Sequence, residues 1–491
     1  MKNLLDQYSY RVLIIAFVIG AGLRWYQIGL HSFWYDETFS SLTARLSLAQ
    51  ILSNAAIDVH PPGYYVLLHF WIQVGQSEAI IRSFSALFSL GAIVLMYSLA
   101  QALFDRATAA LAALGMALFP FQVYFAQEAR MYGLVVFLAI ALTWIFLYAV
   151  TSKGSWFVWA GYALLATFAL YVHYFAAFLL LGFHIWFALD LPKHRNVILR
   201  FLLADGLTLL LFLPQLKQAL ARTEAYLGNE AWQAVPSILS PLTTVYYLLF
   251  AHRTPIWIAP ISLFLTLAVL VLILWESRRR VKSGQGFELA LWMSLLVPIV
   301  VVAIISWISS RSIYVERSFA VASPALVLLL ARGSIAAPKW SPTPYLTALL
   351  ILPILVTLWA NVLAPDPAKP PVREAVLMVE TGFKSGDVSL HLQDASGIPA
   401  LWYTSDVPHL LADVPGAAFI FASTHRLFGG DVVEWQTALV NADRLWLTVM
   451  PGYAGPEQIA VLETIEAAYP RLMMRDWGAV QLYLYDLGAA E

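Results

Sequence analysis

About eleven stretches of this chain are apolar over close to the ~20 residues that a helix needs to cross a bilayer. Their centres fall near Ile19, Ala92, Leu114, Ala139, Leu164, Leu181, Leu207, Ala268, Pro298, Leu326 and Ile354. A hydrophobic fraction of 60% and a charged fraction of 12% over 491 residues stand well outside the soluble range of roughly 45–50% apolar. The expected fold is a polytopic α-helical membrane protein. The first apolar run follows Lys2 and Arg11 as a secretory signal would, but it continues through Arg24-Trp25-Tyr26 without a small-residue cleavage site, which favours a retained anchor.

Charge sets the orientation. Lys2, Arg11, Arg106, Lys153, Lys193, Arg195, Arg278-Arg279-Arg280, Lys282, Arg332 and Lys339 all fall on one alternating side, the cytoplasmic one by the positive-inside rule. The opposite side then carries Asp36-Glu37, His60, the segment from Gln127 to Tyr132, His173-Tyr174 and Arg317. From about Pro365 the composition becomes that of a soluble domain, reached through Pro365, Pro367, Pro370 and Pro371, a stiff linker by composition. Strands are expected at 387–392, 418–422, 444–450 and 480–485, and helices at 374–383, 432–440 and 456–468. Two domains follow: 1–364 in the membrane and 365–491 as a small extracytoplasmic α/β domain. The carboxylates Asp387 and Asp394 read as turn residues.

Zero cysteines exclude disulfides, thiolate nucleophiles and cysteine-ligated metals. A net charge of −1 without a basic stripe argues against nucleic acid as a partner. No Walker A loop, zinc helix motif or serine triad is present. What remains is polar chemistry at the membrane boundary. Residues 31–40, HSFWYDETFS, place Asp36-Glu37 among aromatic residues, where a partly desolvated carboxylate can accept a proton at neutral pH; the alternative is that the two acids favour a helix N-terminus. His60 is fixed by Pro61-Pro62 and can donate to a phosphate oxygen or a hydroxyl, unless it bonds a backbone carbonyl. Glu128-Ala129-Arg130-Met131-Tyr132 carries a guanidinium suited to phosphate, or a local ion pair with Glu128. His173, in Val172-His173-Tyr174-Phe175, is either a ligand or a satisfied structural histidine. Arg317, beside Glu316 at the mouth of a span, joins the set, and the loop containing Glu224 to Glu230 is a possible cover for substrate. One carboxylate with several cations fits transfer from a phosphate-bearing lipid, because a phosphate leaving group needs charge stabilisation more than a proton.

Asp36-Glu37 in the first outer loop, His60-Pro61-Pro62 with Tyr64-Tyr65, Glu128-x-Arg130-x-Tyr132 and His173-Tyr174 together resemble the bacterial GT-C glycosyltransferases. Within these they look like the family 39-like group, related to protein O-mannosyltransferases and lipid A aminoarabinose transferases. The resemblance implies a GT-C fold, a polyprenyl-phosphate-linked sugar donor, a lipid, glycan or protein acceptor, and inverting transfer on the extracytoplasmic face of a bacterial inner membrane. By the same likeness Asp36 matches the family's catalytic acid, Glu37 its neighbour in the site, and Arg130 a residue lining the donor cavity. The expected site has Asp36 and Glu37 as catalytic residues and His60, Tyr64, Glu128, Arg130, Tyr132, His173, Tyr174 and Arg317 as substrate-binding residues. A divalent metal ion between the acid pair and the donor phosphate would suit hard oxygen ligands. The rival readings are a transporter or lipid flippase, which would carry ionisable residues at mid-membrane and repeated halves, and a non-catalytic assembly protein.

Overall fold

The computed structural model describes residues 2–54, 60–151, 154–225, 234–282, 286–309, 312–364, 369–404, 406–416 and 422–488. Asp58, Lys153, Arg311, Pro365, Pro367, residues 226–230 of the covering loop and residues 418–421 of an expected strand lie outside the described residues. The chain divides into two compact units. Unit 1 is Met1–Tyr26, Leu52–Leu67 and Arg82–Ala364, and unit 2 is Gln27–Ile51, Leu68–Ile81 and Pro365–Glu491. The division after residue 364 coincides with the change in composition. Gln27–Ile51 and Leu68–Ile81, read in the sequence as outer loops of the membrane domain, group with the C-terminal residues instead.

Helices dominate unit 1 because hydrocarbon offers the backbone no other hydrogen-bond partner. Among the described residues, eight helices are long and apolar enough to cross a membrane: Lys2–Trp25, Glu78–Leu103, Tyr132–Thr151, Leu191–Leu220, Ala259–Val281, Phe287–Ser309, Glu316–Ala336 and Thr343–Leu363. Arg106–Leu118 with Pro120–Ala126 forms a further candidate span bent by 53°, and Trp156–Val172 and Ala176–Leu189 are shorter apolar helices. Each expected centre falls within one of these helices.

The 53° bend has an identifiable cause. Pro120 has no N–H, so the Met116 carbonyl loses the donor that a continuous helix would provide four residues on. Arg24, with no exposed surface, supplies one instead. Its Nη2 donates to Met116 O at 2.8 Å, its Nη1 to Ala117 O at 3.3 Å and its Nε to Ser89 Oγ at 2.9 Å. Helix Pro120–Ala126 then runs directly into Gln127 and Glu128. The bend therefore aims the Glu128-to-Tyr132 segment.

Cations that the sequence assigned to one side of the membrane meet in one network. Lys2 pairs with Asp105 at 3.3 Å, Arg332 with Asp105 at 3.2 Å and Glu288 at 3.3 Å, and Arg280 with Glu288 at 2.7 Å. Glu276 accepts hydrogen bonds from Ser341 and Thr343. Arg317 lies in the first turn of span Glu316–Ala336, which Arg332 approaches the end of, so the two arginines are separated by roughly 25 Å of helix. They mark opposite ends of unit 1.

Unit 2 is built on a six-stranded sheet in the order β3-β2-β1-β4-β6-β5. The strands are β1 Asp387–His391, β2 His409–Ala412, β3 Asp431–Val433, β4 Arg444–Val449, β5 Arg471–Asp476 and β6 Gln481–Asp486. β1 pairs in parallel with β2 and β4, and β6 runs antiparallel to β4 and β5. The central strands are covered on both faces, which is why they read as continuous apolar runs; Leu390, Leu445, Leu447, Ile465 and Tyr485 are wholly buried there.

Several local expectations are corrected. Residues 431–433 of the helix expected at 432–440 pair as β3, leaving a helix only at Trp435–Leu439. Residue 422, expected in a strand, begins helix Ala422–Leu427. Strands β2 and β5 and helix Asp394–Tyr403 carry no periodic signal: Gly397 and Pro399 are poor helix formers, yet burial of Ala395, Ile398 and Ala400 decides for helix. Asp387 is not a turn residue but pairs with Arg444 at 2.6 Å and accepts from Trp446 Nε1 at 2.9 Å. Asp394 likewise begins a helix, wholly buried, 3.8 Å from His425 Nε2.

Helix Tyr35–Arg45 belongs to this unit through named contacts. Phe33 packs edge-on against Trp402 at 5.6 Å, Phe39 against Phe428 at 5.5 Å, and the Arg45 guanidinium lies 3.5 Å from a Trp402 ring centroid. Ser32 Oγ donates to Glu374 at 2.9 Å, Tyr403 Oη to Glu78 at 3.1 Å, and Arg373 to Glu78 at 2.8 Å and Leu30 O at 2.7 Å. These pairs, up to 343 residues apart in sequence, recruit the two outer segments.

Candidate functional site

Unit 1 gathers most of the expected substrate-binding residues. His60 stands ahead of helix Gly63–Trp71, and a Cβ on Gly63 would sit 2.5 Å from the Tyr171 carbonyl oxygen. Only glycine permits that approach, which brings the His60 segment against the end of helix Trp156–Val172, where His173 follows. The His60 and His173 rings lie 5.7 Å apart. On the other side, a Cβ on Gly133 would sit 2.6 Å from Ser85 O, so helices Glu78–Leu103 and Tyr132–Thr151 meet closely. There Ser85 Oγ donates to Arg130 O at 2.7 Å and lies 3.3 Å from Tyr64 Oη. Tyr64, with no exposed surface, thus supports the backbone that carries Arg130.

Arg130 itself is buried to 3% exposure and Glu128 to 1%. The guanidinium has donors only, so its Nη2, at 3.3 Å from His60 Nε2, makes that nitrogen the acceptor and leaves the His60 proton on Nδ1. His173 has the opposite tautomer. Its Nδ1 accepts the backbone N–H of Phe175 at 3.2 Å, which puts the proton on Nε2, and this buried nitrogen has no hydrogen-bond partner among the described residues. Burial, reinforced by the Arg130 and Arg317 guanidiniums, holds the His173 pKa well below its ordinary value. It is a neutral N–H donor with an unfilled valence, the kind of buried group that calls for a ligand.

An aromatic path extends the cluster. Tyr132 stands 6.3 Å from His173 and 4.8 Å from Phe125, Tyr124 stands 5.4 Å from His252, and Tyr247 Oη is 2.7 Å from His252 Nε2. Glu128, Tyr132 and Arg317 act electrostatically on Tyr247, and Arg317 and Arg253 on His252. Tyr174 turns elsewhere: its hydroxyl accepts Gln215 Nε2 at 2.8 Å. The sequence reading did not place Tyr247, His252 or Arg253 in the site. Their one signal was an aromatic, histidine and arginine run at the end of an apolar helix, which spacing alone does not distinguish from an interfacial anchor.

The acid pair lies in unit 2, in the first turn of helix Tyr35–Arg45. Acids there and Arg45 in the last turn both complement the helix dipole. The two carboxylates have different surroundings. Asp36 is half-buried, whereas Glu37 has no exposed surface and pairs with Lys369 Nζ at 2.8 Å. Lys369 is a residue the sequence reading did not single out; it stands in the proline-rich connection, where a lysine has no periodicity to reveal its partner. For the expected divalent ion, the Lys369 ammonium is a competing partner of Glu37; among the described residues no group of three or more His, Cys, Asp or Glu is placed to hold a metal.

Residues 59–217 match the family model described as dolichyl-phosphate-mannose-protein mannosyltransferase. No curated protein matches the sequence. Among solved structures, ArnT from Cupriavidus metallidurans in the apo state aligns with a TM-score of 0.58 at 12% identity, over 96% of this chain and 97% of that one. The same protein bound to undecaprenyl phosphate aligns with a TM-score of 0.57 at 12% identity, over 97% and 98%. The Archaeoglobus fulgidus oligosaccharyltransferase aligns with a TM-score of 0.54 at 13% identity, over 96% of this chain and 72% of that one. With its helical membrane part and its C-terminal sheet both inside these alignments, the chain has the fold of these structures, the GT-C fold.

Proposed function

We propose that the chain is a multi-pass membrane glycosyltransferase that moves a sugar from a polyprenyl-phosphate-linked donor to an acceptor on the extracytoplasmic face of a bacterial inner membrane. The observation that carries this reading is the buried Arg130, with Arg317 and the neutral His173 Nε2 donor beside it. Three donor groups, two of them permanently charged, suit the oxygens of a phosphate better than any neutral ligand. The solved structures of similar fold support it: one is bound to undecaprenyl phosphate and another is in complex with a dolichol phosphate and an inhibitory peptide. The matching family model is named for a dolichyl-phosphate-linked sugar donor.

In this mechanism Asp36 takes the proton of an acceptor hydroxyl as its oxygen bonds the anomeric carbon. The bond from that carbon to the phosphate oxygen breaks, and the electron pair leaves on the phosphate. Arg130 and Arg317 offset the charge that develops there, and His173 Nε2 donates to a phosphate oxygen. Attack opposite the leaving group inverts the anomeric configuration. Asp36→Asn removes the base and keeps the shape, so turnover of a polyprenyl-phosphate sugar should fall by about 10²–10⁴-fold, with folding and membrane insertion unchanged. Mass spectrometry of donor consumption by the purified protein measures it. Wild-type turnover in the variant would take Asp36 out of the mechanism.

A further inference from the structure

Lys369 stands 332 residues after Glu37, in a segment with no motif, yet the two form an ion pair in which Glu37 is wholly buried and Lys369 is 9% exposed. Taking two charges out of water is expensive, and an apolar pair of the same volume would serve stability as well or better. Both ends are held in place by other contacts. On the Lys369 side, Pro370-Pro371 restrict the backbone, and Arg373 and Glu374 anchor the chain to Leu30, Glu78 and Ser32. On the Glu37 side, Ser40 and Ser41 donate to the Asp36 and Glu37 carbonyls at 2.9 and 2.8 Å, and Phe33 packs on Trp402. An ammonium held rigidly against one carboxylate of an adjacent pair does two things. It keeps Glu37 ionised and still, and it stops two neighbouring negative charges from competing for one proton.

We propose that Lys369 is a positioning residue for the Asp36 base: by pairing Glu37 it fixes the helical turn that presents Asp36 and confines proton uptake to Asp36. This inference rests on the glycosyltransferase reading.

The test uses the full-length protein in lipid nanodiscs, with kcat and KM for a polyprenyl-phosphate sugar, the pH–rate profile, and binding of polyprenyl phosphate alone. Lys369→Met should lower kcat by about 30-fold or more, leave phosphate-lipid binding unchanged, and move the acid limb of the profile to higher pH as Glu37, without the ammonium, takes protons more readily. Lys369→Arg should keep at least about a third of the activity, since it keeps the charge. Because a lone buried carboxylate can prevent folding, Glu37→Gln/Lys369→Met provides a second arm with no buried charge. It should fold and remain about tenfold or more below wild type in kcat. Wild-type kcat in that double variant, or an equal loss in Lys369→Arg and Lys369→Met, overturns the proposal. A wild-type protein that consumes no polyprenyl-phosphate sugar overturns the glycosyltransferase reading instead.

Discussion

Arg130 and His173 carry the residue-scale argument because each is buried in a state that water would not leave it in. A guanidinium at 3% exposure stands beside a histidine kept neutral by its own burial and by neighbouring cations, a pairing of donors that suits phosphate oxygens. Arg130→Met should therefore weaken binding of polyprenyl phosphate by about 2 kcal/mol, roughly 30-fold in Kd, measured by titration into nanodiscs. Arg130→Lys should lie between, since it keeps the charge and loses the fork. These residues were legible in the sequence as ionisable groups in short outer segments. Their tautomers were not: whether His173 is a satisfied structural residue or a donor depends on the Phe175 amide reaching Nδ1, a matter of loop geometry. Lys369 was illegible altogether, since an ion pair across 332 residues leaves no local trace.

Among the elements, the broken span is the one whose shape matters most to the site. Pro120 interrupts the helix, and the partner that makes the break tolerable, Arg24, lies on another helix. Arg24→Met would leave the Met116 and Ala117 carbonyls without their donor in a buried setting, which should cost about 2–4 kcal/mol. Thermal unfolding in detergent measures that loss. Adding Pro120→Ala should recover part of it, because the new backbone N–H can donate to Met116 O. A double variant no more stable than Arg24→Met would separate Arg24 from the bend. The spans themselves were readable because hydrophobic length is a one-dimensional property. Strands β2 and β5 and helix Asp394–Tyr403 were not, because their sequences lack periodicity and their state is decided by what packs over them.

Over the whole molecule, the C-terminal unit carries a pH dependence of its own. In unit 2, His391 and His409 are buried with their rings bonded, His391 Nε2 being 2.9 Å from His409 Nδ1. Burial pushes the His391 pKa well below its ordinary value and the His409 pKa down from 6.5 to about 4. Both histidines are thus neutral in the fold. Above pH 6.5 the unfolded chain is neutral at these positions too, and their contribution to stability is complete. As the pH falls below 6.5 the unfolded chain binds protons that the fold refuses, and stability is lost until about pH 4, where His409 protonates in the fold as well. The loss from His409 alone amounts to about 3 kcal/mol. Hydrogen exchange on the full chain should show protection of β1 and β2 peptides falling from pH 7 to pH 5. Unchanged protection over that range would remove the histidines from the stability of this unit.

Length, hydropathy and charge bias by themselves determined that the chain is a bundle of apolar helices with a soluble tail, because partition between water and hydrocarbon depends on local composition. The same order of residues marked the acid pair, the histidines and the arginines as groups out of place in such a bundle. Only the tertiary structure decided that helix Tyr35–Arg45 belongs with the tail, that Arg24 holds the bend before Glu128, and that Lys369 neutralises Glu37. Each of those is a contact between residues far apart in sequence, and its energy depends on distance and burial, which exist only once the chain has folded.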